Sequence, residues 1–174
     1  MLAALHDALL PYYLQVKFLH VFFAMIWAFS TAVAYSYYVK GAFLKWERNP
    51  DDPVALQRRN WAIEQFDRGA ILEHVAFPVL LVTGPLMYWL GPWSPDSTWL
   101  MVKLAIIVLV FVPMEVLDYW LAHFGGNKER LRRRNLPERY EHAVRLHWRF
   151  LKVTTPLVML FIPLLVWLAV TKPG

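Results

Sequence analysis

The sequence predicts an all-α integral membrane protein built as a bundle of four transmembrane helices, and two observations lead to this fold class. First, 58% of the 174 residues are hydrophobic and 18% are charged, whereas soluble domains are about 45–50% apolar. Second, the apolar residues lie in four runs, each near the roughly 20 residues that a helix needs to cross a bilayer. Both observations argue against a soluble enzyme, and we expect one four-span domain over residues 1–174.

The four expected spans cover approximately residues 13–39, 70–90, 98–121 and 151–170. They should be helical, because a backbone in lipid must satisfy its own hydrogen bonds. Helix-start and helix-stop signals in the two long loops predict short surface helices there. These signals are Asp52-Pro53, Gly125-Gly126-Asn127 and Leu136-Pro137-Glu138, the last of which starts a helix that runs on into span four.

The charges in the loops predict the orientation of the bundle. Residues 40–68 carry six basic side chains and residues 123–149 carry eight, whereas the loop at residues 91–97 carries none. Cytoplasmic loops of membrane proteins are enriched in Lys and Arg. We therefore expect a multi-pass protein of a bacterial-type inner membrane, with both basic loops cytoplasmic and both termini on the non-cytoplasmic side.

The basic block Arg132-Arg133-Arg134 is expected to face phospholipid headgroups, so the lipid bilayer is the expected partner. No aromatic or glycine residues are interleaved with it, and we expect no nucleic-acid partner. The chain has no cysteine. This composition excludes disulfides, iron–sulfur clusters, thiolate zinc sites and covalently attached haem, but leaves a haem held by histidine.

Ionisable residues inside lipid are costly and need an explanation. Lys17 and His20 are three residues apart on span one and share a helix face. His20 should lie roughly 10 Å from the outer end of its span, and Lys103 should lie at nearly the same depth on span three. A structural role, with Lys103 reaching outward and His20 bonded to a neighbouring helix, is one interpretation. The matched depth favours the other, a site for an anion or a metal.

Haem b suits such a site, because it needs an axial nitrogen for iron and cations for its propionates. His20 is then the candidate axial ligand, and Lys17 and Lys103 are the candidate propionate partners. Trp27, seven residues after His20, is expected to pack against the macrocycle. Copper is the alternative cofactor, since methionines offer soft ligands. The same methionines could instead supply a sixth ligand to haem iron. The candidates are Met25, Met87 and Met101.

A second group of ionisable residues lies near the cytoplasmic ends of the spans: Glu73, His74, Glu115, Asp118, His123 and His147. An ion-pair network at headgroup level is one interpretation, with the acids of span three meeting Arg68, Arg149 or Lys152. The sharper interpretation is a carboxylate–histidine metal site. Its candidate ligands are His74, Glu115, Asp118 and His147.

Motifs in all four spans resemble those of the HemJ-type protoporphyrinogen oxidases and the related CopD-like copper-resistance domains. The resemblance rests on Lys17-x-x-His20 with Trp27, Pro78 with Thr83-Gly84, Trp99-Leu100-x-x-Lys103-Leu104, and Pro156 with a closing Lys172-Pro173. The sequence departs from that pattern in its inner half, where span three has Met114-Glu115 in place of a tyrosine–histidine pair.

The resemblance implies a four-helix bundle that binds haem b, with His20 and Lys103 as the essential catalytic pair. It implies oxidation of protoporphyrinogen, with electrons passed on to the respiratory chain, so a porphyrinogen or a quinone is the expected redox partner. Two alternatives stay open at this point. One is CopD-like copper handling through His20, and the other is a non-catalytic subunit or assembly factor in a homo-oligomer or a membrane complex.

Overall fold

The computed structural model describes residues 1–173. The last residue of the expected domain, Gly174, and the side chain of Thr31 lie outside the described part. The elements are α1 Leu2–Leu9, a 3-10 turn Leu10–Tyr12, α2 Tyr13–Ala34, a π-helical turn Tyr35–Val39, α3 Lys40–Arg48, α4 Pro53–Gly69, α5 Ile71–Leu90, α6 Thr98–Ile106, a second π-helical turn Ile107–Phe111, α7 Val112–His123, α8 Lys128–Arg133 and α9 Pro137–Thr171.

These elements confirm the predicted fold class. Within residues 1–173 the secondary structure is entirely helical, and four stretches are long and apolar enough to cross a membrane: Leu2–Arg48, Pro53–Leu90, Thr98–Arg133 and Pro137–Thr171. Each stretch contains one expected span and extends beyond it on the side that carries the basic loops, and the first stretch also extends at its other end through α1 and the 3-10 turn. We call that side of the bundle the basic side.

The expected helix boundaries agree with the local hydrogen bonds. The Asp52 carboxylate accepts a hydrogen bond from the Val54 amide and caps α4, which begins at Pro53. Asn127 caps α8 in the same way through the Arg130 amide. Gly126 permits the tight turn between α7 and α8, because a Cβ there would lie 2.7 Å from the Leu121 carbonyl oxygen.

The centre of the bundle is an aromatic cluster between the spans. Trp27 of α2 lies edge-on to Phe111, with ring centroids 4.8 Å apart, and packs against Phe77 of α5. Phe111 ends the π-helical turn that joins α6 to α7, and its side chain is fully buried. A π-helical turn shifts the faces of a helix. In this bundle it brings Phe111 inward, directly before the acidic residues of α7.

Large apolar side chains cover the outer surface of the spans. Examples from each of the four are Phe18, Val82, Leu109 and Leu160, all more than half exposed. A soluble protein rarely exposes a continuous apolar surface of this extent. A bilayer requires such a surface, because lipid tails solvate apolar side chains. The helical backbone satisfies its own hydrogen bonds, which lipid tails cannot do.

The loop helices on the basic side pack more deeply than the surface helices expected from the sequence. A second apolar core forms there, around Phe43 of α3, Ile63 of α4 and Val144 of α9, all fully buried. Trp148 stacks on Phe43 at 4.5 Å and donates a hydrogen bond to Glu47. The helices of the long loops therefore continue the bundle beyond the spans expected from the sequence.

Many basic side chains of this region bind acids of the bundle itself. Arg132, expected to face lipid, makes a two-point contact with Glu64, at 2.9 Å for each nitrogen–oxygen pair. The buried Arg59 guanidinium makes two hydrogen bonds to Glu141 and lies 4.2 Å from the Trp46 ring centroid. The basic residues therefore join helices as well as contributing to loop charge.

We expect the basic side to face the cytoplasm, and paired cysteine labelling tests this orientation. The chain has no native cysteine, so a single introduced thiol reports one position. Asp51 and Asp96 are matched exposed turn residues on opposite sides of the bundle. In intact cells a membrane-impermeant maleimide should label Asp96→Cys, whereas Asp51→Cys should react only after permeabilisation. Labelling of Asp51→Cys alone in intact cells would reverse the orientation.

Candidate functional site

His20 bridges two helices in the half of the bundle opposite the basic side, which we call the outer half. It lies on α2, and its Nδ1 is 2.8 Å from the hydroxyl oxygen of Thr83 on α5. Thr83 in turn donates its hydroxyl proton to the Val79 carbonyl oxygen at 2.7 Å. Because that proton is engaged, the Thr83 oxygen acts as the acceptor towards His20, and the His20 Nδ1–H is the donor.

This hydrogen bond determines the tautomer of His20. A neutral imidazole carries one N–H and one lone pair, so protonation at Nδ1 leaves the lone pair on Nε2. Within residues 1–173, no side chain or backbone group forms a hydrogen bond with Nε2. Metal-binding histidines commonly have this arrangement, in which the second ring nitrogen is held by a neighbouring acceptor.

The other residues of the expected outer site differ in their burial and in their distance from His20. Lys103 on α6 is half-buried and near enough to His20 for their charges to interact. Gly84 lies directly beside the imidazole, where an added Cβ would be 3.5 Å from His20 Cε1. Lys17 is exposed on α2. The candidate methionine ligands Met25 and Met101 are more than half exposed.

Trp27 occupies a different environment from the one expected. Its ring is buried in the central aromatic cluster, and its Nε1–H donates a 2.6 Å hydrogen bond to the Glu115 carboxylate. Its role as a packing partner of a macrocycle stays a prediction. In this fold, Trp27 connects the aromatic centre of the bundle to the acidic residues of the inner half.

The inner group is centred on Asp118 of α7. One carboxylate oxygen of Asp118 accepts a 2.8 Å hydrogen bond from His147 Nε2, and the other lies 3.1 Å from His74 Nε2. The second ring nitrogen of His74 is 2.8 Å from Nε2 of His123, which is partly exposed at the end of α7. Asp118 therefore joins α5, α7 and α9, and the histidine pair continues from it towards the basic side.

A buried lysine lies on the other side of His147. The Lys128 ammonium is fully buried and donates hydrogen bonds to the Asp67 carboxylate at 3.0 Å and to the Leu121 carbonyl oxygen at 3.1 Å. It also contacts His147 Nδ1. Lys128 donates in this contact, so His147 Nδ1 is an acceptor and its proton is on Nε2, facing Asp118.

Two further carboxyl groups lie deeper in the bundle. Glu73 of α5 and Glu115 of α7 are both buried and face the same small cavity. This cavity of about 30 Å³ is also lined by Asp118, Thr154 and Thr155. The oxygens Glu73 Oε2, Glu115 Oε2 and Asp118 Oδ2 are buried and have no hydrogen-bond partner within residues 1–173.

The structure brings three of the four predicted inner metal ligands together, namely His74, Asp118 and His147, while Glu115 is bonded to Trp27. Over the described part of the chain, no group of three or more His, Asp or Glu side chains is placed to hold a metal ion. The ion-pair interpretation was wrong about the partners: Arg68 binds Glu129 and Lys152 lies near Glu47.

Asp67 and Lys128 also belong to the inner group, although the sequence predicts loops at both positions. The charge of a loop gives no information about the depth of its side chains. A usable signal was present, because Asp67 and His74 are seven residues apart and share a face if the helix continues through Gly69. Helices α4 and α5 meet at Ala70, which keeps helical backbone angles, and the Ala70 amide bonds the Phe66 carbonyl oxygen.

Comparisons with known proteins support the membrane assignment. A family model described as "Predicted integral membrane protein (DUF2269)" matches residues 14–173. No curated protein and no solved structure matches the chain. The matched region contains the last three membrane-length segments, the first segment from residue 14 onwards, His20 and the inner polar group. The chain belongs to the DUF2269 family of predicted integral membrane proteins.

Proposed function

We propose that this protein binds haem b in the outer half of the membrane and acts as a redox protein, with His20 as the axial ligand. One observation carries the proposal: His20 Nδ1–H donates to Thr83, and this leaves the Nε2 lone pair without a partner among the described residues. A neutral imidazole nitrogen is a common axial ligand of haem iron. The hydrogen bond to Thr83 fixes the orientation of the ring and its tautomer before any ligand binds.

The residues around His20 fit the other requirements of haem. Lys103 would supply positive charge for a propionate, and the missing side chain at Gly84 leaves the edge of the imidazole uncovered on one side. Haem supplies one-electron chemistry, while the protein supplies ligation and the local dielectric. The chain's own contribution is therefore to hold Nε2 deprotonated and to keep a cation nearby.

The expected redox partner is a porphyrinogen or a quinone, because both are apolar enough to reach the bundle from the bilayer. The exposed apolar surface beside His20 supports this route, since Leu19 and Phe22 are both more than 40% exposed. We place the site nearer the non-cytoplasmic face, on the basis of the loop charges. The same surface would also accept a second copy or a partner subunit.

Replacement of His20 by alanine should abolish haem binding. We expect the purified wild-type protein to show a Soret band that shifts on reduction with dithionite, and His20→Ala to lack this band. His6→Ala is the matched control, because His6 lies on the same outer side and its ring contacts Trp89. This control should keep the wild-type spectrum.

Two results would contradict the proposal. One is a colourless wild-type protein purified from haem-replete cells. The other is a Soret band of equal intensity in His20→Ala. If the protein is colourless but holds one equivalent of copper, and His20→Ala loses this copper, then copper and not haem is the cofactor.

Removal of the Thr83 hydroxyl should weaken haem binding without abolishing it. Thr83→Val keeps the side-chain shape but removes the acceptor of the His20 Nδ1–H, and loss of such a partner typically lowers metal-site affinity by about 10–100-fold. Titration of the apoprotein with haem measures the change. Thr171→Val is the control, because Thr171 also donates to a carbonyl one turn earlier but contacts no histidine. Equal affinities for all three proteins would show that Thr83 does not position the ligand.

A further inference from the structure

The inner half of the bundle contains more buried acid than buried base. Besides Glu64, which binds Arg132, the carboxyl groups of Asp67, Glu73, Glu115 and Asp118 are at most 8% exposed, and Lys128 is the one buried lysine that contacts them among the described residues. Lys128 compensates Asp67, and Asp118 lies between the imidazoles of His74 and His147. The carboxyls of Glu73 and Glu115 have no basic partner of this kind within residues 1–173.

Two carboxylates that face one small cavity inside a membrane are costly to keep charged together, because like charges repel in a low-dielectric interior. Two ionised carboxylates are also acceptors only, so neither can donate a hydrogen bond to the unpartnered oxygens of this cavity. One proton on the pair removes a charge and supplies the missing donor. Glu115 already accepts the Trp27 N–H at 2.6 Å, so that bond stabilises the ionised form of Glu115 and leaves Glu73 as the carboxyl that carries the proton.

We infer that the Glu73–Glu115 pair is a proton-binding site in the membrane interior, connected to the basic side by the chain His123, His74 and Asp118. This inference does not depend on haem binding in the outer half. It assigns an activity to residues that the proposed function does not use. The ligand is a single proton, which is stored as a neutral carboxyl group.

Two short contacts lie along the connection from His123 to Asp118. His123 is partly exposed at the end of α7, and its Nε2 is 2.8 Å from His74 Nδ1. His74 Nε2 lies 3.1 Å from Asp118 Oδ2 without forming an aligned hydrogen bond, so transfer across this contact requires the two groups to turn towards each other. When His123 takes up a proton on one ring nitrogen, it transfers the proton on its Nε2 to His74 Nδ1. His74 then transfers the proton on its Nε2 to Asp118. No electron moves, and the chain returns to its initial state when the tautomers relax.

The last step crosses the small cavity. Its volume of about 30 Å³ is enough for one water molecule. Glu73, Glu115 and Asp118 all line it, and each has a buried oxygen without a partner inside residues 1–173. A water molecule there would bond these oxygens and pass a proton from Asp118 to the glutamate pair. Chains of Asp, Glu and His inside membranes commonly serve as proton relays.

The charged and titratable groups that face the pair come from several helices. Asp118 on α7 and His74 on α5 are nearest, and His147 on α9 lies behind Asp118. Asp67 on α4 and Lys128 on α8 form the next layer, where their charges compensate one another. Helix α2 contributes the neutral Trp27. The bound proton is therefore held in a region of nearly balanced charge.

Infrared spectroscopy of the full protein in lipid vesicles tests the site. At neutral pH the wild type should show the carbonyl band of a protonated carboxyl group, and Glu73→Gln should lack it. Glu138→Gln is the matched control, because Glu138 is exposed on the basic side, and it should keep the band. Absence of the band in the wild type, or its persistence in Glu73→Gln, would overturn the inference.

The connection is tested by the rate at which the same band shifts after transfer to D₂O. Asp118→Asn keeps the shape of the side chain but cannot carry a proton, so exchange should slow by about 10²-fold or more. Circular dichroism establishes that the variant is folded. If it is not, His74→Gln interrupts the same chain from α5. Exchange at the wild-type rate in the folded variant would contradict the proposed path.

Discussion

The ion pair between Lys128 and Asp67 is the interaction on which the basic side of the bundle depends. A charged group in a low-dielectric interior is costly unless an opposite charge and further hydrogen bonds accompany it. Lys128 is fully buried and meets both conditions, because it bonds Asp67, the Leu121 carbonyl oxygen and His147. These contacts join the short helix α8 to α4, to the end of α7 and to α9. The long loops are thereby part of the folded core.

The polar residues of the bundle form two sites, and in each the buried polar groups need hydrogen-bond or charge partners. In the outer half, His20 satisfies one ring nitrogen with Thr83 and leaves the other for a ligand. In the inner half, Asp118 lies between two histidines, and Glu73 and Glu115 face a small cavity, where each has a buried oxygen without a partner among the described residues. The aromatic cluster around Trp27 separates the two sites. Trp27 belongs to that cluster and bonds Glu115, so it is the structural link between them.

The sequence was sufficient to predict the spans, because their length and apolar content follow directly from the bilayer. Helix caps were also predictable, since Asp52 and Asn127 act through neighbouring backbone amides. The tertiary partners were not. The partner of His20 is Thr83, which is 63 residues away, and Lys128 was counted as loop charge although it is buried. Charge counts give the side of the membrane but not the depth of a side chain, and depth determines which residues form a site.

A double-mutant cycle on Lys128 and Asp67 tests most directly whether charge compensation holds the bundle together. Lys128→Met should lower the free energy of unfolding by about 3–5 kcal/mol, because it leaves the buried Asp67 carboxylate without a counter-charge. In the Asp67→Asn background the same substitution should cost less, with a coupling of about 0.5–3 kcal/mol. Arg130→Met, at an exposed position of the same helix, is the control. An equal cost of Lys128→Met in both backgrounds would contradict this account.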